Sequence, residues 1–423
     1  MTAPTATATP AQLRAARKAV ISSSIGATLE WFDIIVYATF ATTIAAVFYP
    51  DSDPLFALIL TFATFTTTYL IRPLGGLVLG AYADRHGRRN ALTLTLLLMM
   101  VGTFLMAVAP PVPIWGVVVI LLSRLIQGFS AGGEFGTATT FLVETAPHRK
   151  NFYGSWQIAS QSAALLLASA FGFTLTTSLS EEALQSWGWR LPFIIGLLVG
   201  PVGLWIRARM SETEEFLARN QDDPSPVRTM VTRHYGRVLA GAACIGVATL
   251  SVYMILYMPT FAVKNLGISP LAALLGGVVA GTIGLIGSPL VGNLADRVGP
   301  AKVMTVAAVA AFVLAWPLFQ LVINFPTMPV LVGVIAVLGV IMTFYFAPLP
   351  GLMNSLFPVE VRGSGMSVAY NLGVTLLGSI APLVLTWLLG LTGQLAAPSY
   401  YYIIVSLISL TGLYVVRTRY AQR

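Results

Sequence analysis

Apolar residues run along this chain in long blocks separated by short polar breaks. Twelve blocks are long enough to cross a bilayer as helices, near residues 20–48, 55–81, 91–109, 113–141, 153–178, 190–208, 238–263, 271–294, 303–323, 328–349, 364–389 and 399–416. Several carry internal Gly and Pro, which spanning helices tolerate better than soluble ones. The basic residues sort by side. With the N-terminus placed in the cytoplasm, 20 of the 24 Lys and Arg fall in cytoplasmic segments, only Arg190 and Lys264 fall on the far side, and Arg72 and Arg124 lie within spans. Both termini are therefore expected inside. The expected units are a tail (1–19), a six-helix bundle (20–210), a polar linker (211–236), a second six-helix bundle (237–417) and a short tail (418–423). The first apolar block holds Glu30 and Asp33 and lacks a small-residue cleavage site, so it is expected to be a retained span and not a secretory signal.

Composition narrows the class. The chain is 56% hydrophobic and 9% charged, against about 25% charged in soluble proteins, which excludes a water-soluble fold. The formal charge of +8 is spread through short loops, so it reports topology and argues against a nucleic-acid partner. Cys244 is the only cysteine, so no intrachain disulfide can form. The fold class expected is an all-α membrane protein of twelve helices.

A repeat appears at half-length. Gly80-Ala-Tyr-Ala-Asp84-Arg85-His-Gly87-Arg88-Arg89 recurs 212 residues later as Gly292-Asn-Leu-Ala-Asp296-Arg297-Val-Gly299. Glu144 with Arg149 likewise answers Glu360 with Arg362. Two parallel six-helix halves joined by a long linker are one transporter arrangement. Gly87 permits a tight turn, and Asp84 can cap the next helix or bind an arginine across the cytoplasmic interface. Asp84, Arg85, Gly87, Arg88, Arg89, Glu144, Arg149, Asp296, Arg297, Glu360 and Arg362 are read as a gating network, with plain positive-inside anchoring as the alternative.

The Gly80–Arg89 loop resembles the signature of the major facilitator superfamily. Four further features resemble its metabolite:proton symporter branch: Leu29-Glu30-Trp31-Phe32-Asp33, Ile71-Arg72-Pro73-Leu74-Gly75-Gly76, Arg124 to Glu134 with Gln127-Gly128-Phe129-Ser130, and Trp187-Gly188-Trp189-Arg190. Phe152-Tyr153-Gly154-Ser155-Trp156-Gln157 with Gln161 looks most like the citrate members. The resemblance implies a proton-coupled importer of a small organic anion such as citrate, working by alternating access as a monomer. Protons are the coupling ion, and neither cofactor nor metal is expected. Symport of a zwitterionic osmolyte of the proline/betaine type is the alternative, and a non-transporting membrane sensor is a second one. The second-half loop departs from the pattern at Gly299-Pro300-Ala301-Lys302.

The buried charges give the same picture without the family. Every ionisable Asp, Glu, Lys or Arg inside a span lies in the first half: Glu30, Asp33, Arg72, Arg124 and Glu134. Mid-bilayer charge costs about 2.5–3.5 kcal/mol on insertion scales, so such residues mark pathways or internal ion pairs. Arg124, Gln127, Ala131 and Glu134 share one helical face, while Gly128, Gly132 and Gly136 line another at the small-xxx-small spacing of close helix contacts. Glu30, Asp33 and Tyr37 share a face of the first span, with Asp33 and Arg124 at depths that let them approach. Desolvation raises a carboxyl's affinity for a proton and a neighbouring guanidinium lowers it. Glu30, Asp33 and Glu134 are the proton-coupling candidates, with a permanent salt bridge as the alternative for the first two. Arg124 is the first candidate for gripping a carboxylate bidentately. Tyr37, Arg72, Gln127, Gln157, Gln161, Tyr253, Tyr370 and Asn371 complete the candidate substrate site, although Arg72 could instead pair with Glu134 and the glutamines could simply join helices. Gly128-Phe-Ser130-Ala-Gly132 matches a hydrolase elbow, but it lies in a membrane helix and every histidine (His86, His148, His234) lies in a loop, so no enzyme is expected.

Overall fold

The computed structural model describes residues 10–86, 88–145, 149–208, 234–358 and 362–420. Side chains at 10–19, 21–23, 26, 29, 80–81, 83–89, 92, 113, 134–138, 140–141, 144–145, 199, 206–208 and 362–364 lie outside that description, as does the expected linker between 209 and 233. The described chain is almost wholly helical: α1 (Pro10–Thr39), α2 (Ala41–Phe48), α3 (Pro54–Leu70), α4 (Arg72–His86), α5 (Arg88–Val108), α6 (Pro113–Thr145), α7 (Lys150–Ser178), the short α8 (Glu181–Ser186) and α9 (Leu191–Ala208) make the first half. The second half holds α10 (Tyr235–Leu266), α11 (Pro270–Val298), α12 (Pro300–Asn324), α13 (Met328–Phe346), α14 (Leu349–Leu356), α15 (Arg362–Gly373), a π-helical turn (Val374–Ser379), α16 (Ala381–Thr392) and α17 (Ala397–Arg419).

Among the described residues ten helices are long and apolar enough to span a membrane, and the bent pair α1–α2 makes eleven. The apolar part of α5, Thr93–Val108, is shorter. With it, every block read from the hydropathy pattern has its helix.

The departures from straight spans are local. The first block was expected as one helix and instead bends by 66° between Thr39 and Ala41. The Thr39 hydroxyl donates back to the Ile35 carbonyl at 2.9 Å just before the bend, a bond that Thr61 and Thr66 also make within unbroken α3. Pro73 separates α3 from α4, and Pro348 separates α13 from α14, because proline forfeits one ladder bond and crowds the preceding turn. The tenth span thereby continues to Leu356, past the expected end near residue 349.

Two seams set the geometry. Within the first half, α6 lies backbone to backbone against the second span: a Cβ on Gly128 would sit 2.0 Å from the Thr68 carbonyl oxygen, and one on Gly132 2.1 Å from that of Arg72. Gly75 answers from the other side, 1.9 Å from the Phe129 oxygen. The small-residue spacing at Gly128 and Gly132 is therefore what the sequence suggested; Gly136 lies outside the described side chains. Between the halves, α7 and α11 run against each other over most of their length. Gly277, Gly281, Gly284 and Gly292 of α11 face Ser169, Leu166, Ser162 and Ser155 of α7, each with no room for a Cβ.

Gly132→Ala is expected to cost about 1–3 kcal/mol through overpacking, read as a lower melting temperature in detergent. Gly333→Ala, where an added Cβ meets nothing within 4 Å, is expected to leave the melting temperature unchanged or raise it.

Candidate functional site

Close packing of α6 on the second span brings two arginines into the bundle centre, both within electrostatic reach of Tyr69. Arg124 (0% exposed) and Arg72 (1% exposed) are fully buried. The Arg124 guanidinium lies 4.6 Å from the Tyr37 ring centre, and that of Arg72 lies 4.3 Å from Tyr69 and 5.7 Å from Trp31. Cation–π contact of this kind compensates part of the desolvation of each cation. It does not saturate the donors. Nε and Nη2 of Arg72, and Nε, Nη1 and Nη2 of Arg124, have no hydrogen-bond partner. Buried polar groups are nearly always paired, so five unpaired guanidinium nitrogens in one region form a cradle of donors with spare capacity for an acceptor.

The second half closes over this cradle with neutral groups. Tyr253 of α10 packs edge-on to Tyr69 at 5.5 Å and to Phe65 at 6.0 Å, and Tyr257 packs on Phe62 at 5.9 Å. Tyr370 of α15 lies within electrostatic reach of Arg72 and Glu30 and beside Gln161. Asn371 donates to the Gly132 carbonyl at 3.4 Å, and Thr375, in the π-helical turn, donates to that of Tyr69 at 3.2 Å. Gln161 of α7 has neither amide atom paired, and Gln157 Oε1 and Asn371 Oδ1 are likewise unpaired. Arg72, Arg124, Gln161, Tyr253, Tyr370 and Asn371 therefore do gather at one place.

Two expected members sit differently. Tyr37 contributes its ring to Arg124 while its hydroxyl donates to the Thr61 carbonyl at 3.2 Å. Gln127, expected on the substrate side, turns its amide to Asp33: Nε2 donates to Asp33 Oδ2 at 2.7 Å. The Thr103 hydroxyl also donates to Asp33 Oδ2. Asp33 and Arg124 are within electrostatic reach of each other but share no hydrogen bond, so the permanent salt bridge considered from sequence is not formed here. Gln127 bonds the carboxylate that was expected to meet the guanidinium. Glu30 lies within reach of Arg72. The Glu134 side chain is outside the described residues, so its pairing with Arg72 or with a proton has no structural description.

Sequence reasoning missed Tyr69, Trp31 and Thr103. Tyr69 could have been found, since it precedes Arg72 by three residues and so shares its helical face. Thr103 gave no signal, being one threonine in an apolar span.

The network at the linker end of the bundle is visible in part. Asp296 Oδ1 accepts from the Asn151 backbone N–H at 3.0 Å and from Asn151 Nδ2 at 2.8 Å, and Oδ2 accepts from the Phe152 N–H at 3.0 Å. It thus caps the first turn of α7 from the other half, where orphan donors and the positive end of the helix dipole favour an anion. Arg149 donates to Asn293 at 2.9 Å and stacks on Phe152, and Lys150 bonds Ser355. Arg297 is exposed. Gly87 and the side chains of Asp84, Arg85, Arg88, Arg89, Glu144, Glu360 and Arg362 lie outside the described residues. At the opposite end Leu55 of α3 fills the space over Gly390 of α16. The halves are in contact at both ends, and the arginine cradle lies between.

A family model for the Major Facilitator Superfamily matches residues 24–382. The chain belongs to the major facilitator superfamily. Within this family of transporters, a citrate-proton symporter of Klebsiella pneumoniae is 36% identical over 401 residues, covering 93% of this chain and 90% of that protein. A proline/betaine transporter of Escherichia coli (strain K12) is 34% identical over 418 residues, covering 94% and 83%. The major facilitator fold itself is matched by the proton:xylose symporter XylE bound to 6-bromo-6-deoxy-D-glucose, with a TM-score of 0.77 at 16% identity over 96% of each chain. The superfamily places the chain among multi-pass membrane proteins and not among enzymes. The Ser130 hydroxyl, at the centre of the elbow-like motif, donates to the Thr95 carbonyl and serves as a helix tie.

Replacing Asp296 by Ala is expected to weaken the closure at the linker end by about 0.5–2 kcal/mol, the usual worth of a helix N-cap. Hydrogen–deuterium exchange at the start of α7 should speed up accordingly, while the far end around Leu55 does not change.

Proposed function

We propose that this chain is a proton-coupled symporter that imports a small organic anion of the di- or tricarboxylate class, citrate among them, by alternating access of its two halves. The observation that carries the reading is the set of unpaired guanidinium nitrogens of Arg72 and Arg124 at the interface of the halves. A carboxylate accepts from a guanidinium in bidentate fashion, and two guanidinium groups suit a substrate with more than one carboxylate. Gln157, Gln161 and Asn371 supply neutral polar atoms for its hydroxyl or remaining oxygens. The resemblance to the citrate-proton symporter supports the same class.

Charge balance gives protons their part. Arg72 and Arg124 face Glu30 and Asp33 in equal number, so the empty site is neutral when both carboxylates are ionised. A multi-anion adds negative charge that the bilayer penalises, and protons on Asp33 or Glu30 offset it. The membrane potential acts in the same sense, at about 2.3 kcal/mol per charge per 100 mV. In this reading the protein works as a monomer in the plasma membrane with both termini, the 211–236 linker and the Asp296 cap on the cytoplasmic side. Residues 20–210 and 237–417 are the two rocking units.

The second reading is a zwitterionic osmolyte, favoured by the similarity to the proline/betaine transporter. A quaternary ammonium is held on free aromatic faces. Here guanidinium groups already lie against Tyr37, Tyr69 and Trp31, which weighs against it.

Uptake into proteoliposomes under an inward proton gradient distinguishes the readings, with citrate, tricarballylate, α-ketoglutarate, shikimate and betaine as substrates. Gradient-dependent uptake of a di- or tricarboxylate is expected. Removing one partner of a buried charge pair costs roughly 2–5 kcal/mol, so Arg124→Ala should lower affinity about 30-fold or more. Uptake of betaine alone would move the protein to the osmolyte reading, and binding with no uptake would make it a sensor. Asp33→Asn is expected to retain exchange of internal for external substrate at equal pH and to lose acceleration by the proton gradient.

A further inference from the structure

Asp33 is bound on one oxygen only. Oδ2 takes Gln127 and Thr103, while Oδ1 has no hydrogen-bond partner. Oδ1 opens on a cavity between α1, α5 and α9, walled by Thr103, Met99, Met100, Gly196 and Gly200 among others. The cavity gives ≈ 20 Å³ to the centre of a water-sized sphere, and one water needs about 10–15 Å³ by that measure. Asp33 Oδ1 and the Thr103 oxygen are acceptors for the two hydrogens of such a water. Glycines keep the space open. A Cβ at Gly196 would stand 3.4 Å from Asp33 Oδ1, and one at Gly200 would press on Met100 at 2.8 Å.

The cavity belongs to the first half alone. Among the described residues, every substantial packing partner of α5 and α9 is an element of that half, whereas the arginine cradle is closed by α10 and α15 of the other. Gln127 of α6 and Thr103 of α5 share Oδ2, which leaves Oδ1 to the cavity.

We propose that this cavity is a water site through which Asp33 exchanges its proton, separate from the route taken by the anion. The step is a plain transfer: a hydronium ion in the cavity gives a proton to ionised Oδ1, leaving a neutral carboxyl and a water, and the reverse releases it. No other described group competes for that proton in the cavity, since the described side chains of α5 and α9 include no Asp, Glu, His, Lys or Arg. The charged group within electrostatic reach of Asp33 is Arg124 on α6; Glu30 and Tyr37 are the other described ionisable side chains of its own helix, and Lys150 and Tyr153, those of α7, lie at its linker end. The inference rests on the symporter reading for its role in transport, but the site itself can be tested apart from it.

Gly196→Ala tests it. The new methyl group reaches ordinary contact distance from Oδ1 and takes the place of the water, and alanine is the better helix former, so folding is not at risk. Two measurements are made on the full-length protein. The first is infrared difference spectroscopy on transfer from H₂O to D₂O, with Asp33→Asn identifying the Asp33 carboxyl band. Gly196→Ala should slow deuteration of that band at least tenfold. The second compares proton-gradient-driven uptake with substrate exchange at equal pH. Gradient-driven uptake should fall at least tenfold, with exchange within twofold of the parent. Unchanged deuteration, or equal loss of both transport modes, overturns the proposal. If the parent transports no anion while Gly196→Ala still slows deuteration, the symporter reading falls and the water site stands.

Discussion

Everything at the centre of this bundle follows from holding two guanidinium groups out of water. Arginine stays charged under any physiological condition, so Arg72 and Arg124 must be compensated where they lie. The chain does this in two stages. Glycines at 75, 128 and 132 let α6 and the second span touch along their backbones, which fixes the depth and direction of both arginines. Aromatic faces from Tyr37, Tyr69 and Trp31 then take one side of each cation. Five of their nitrogens are left without a hydrogen-bond partner, and these are the donors to which the proposed substrate would bind. A side chain such as Asp at that position would satisfy the donors permanently and leave no site.

The two halves have unequal tasks. The first holds the buried charges Glu30, Asp33, Arg72 and Arg124, while the second offers Tyr253, Tyr370 and Asn371 as a neutral wall. Its own polar groups are mostly spent on its own helices: Ser251 with Tyr402, Tyr345 with the Cys244 carbonyl, and Ser409 with the Ala243 carbonyl. Such ties stiffen the second half as a unit.

Much of this was legible in the chain. Hydropathy blocks gave the helices because a bilayer leaves no other way to satisfy the backbone. Buried charge gave Asp33, Arg72 and Arg124 because it is too costly to be accidental. The partners of those charges were not legible. Helical periodicity says which face a residue occupies, not which neighbouring helix stands opposite, so Gln127 was assigned to the substrate when it bonds Asp33, and Thr103 was not seen at all. The bend after Thr39 was not legible either, since no proline or glycine marks it.

The α7–α11 seam carries a mechanical meaning. Small residues meet there at most of the contacts, serines of α7 on glycines of α11, and where a leucine crosses the line, Leu166 on Gly281 or Leu274 on Gly172, it faces a glycine and not another large side chain. The contacts of α3 with α10 and α16 are of the other kind, with Phe62, Phe65, Tyr69 and Leu55 set between partners that must part before anything moves. Smooth surfaces can roll while keeping their contact; toothed ones must disengage. Under the alternating access proposed above, the seam would serve as an axle and the aromatic ladder as a latch set to one side of it.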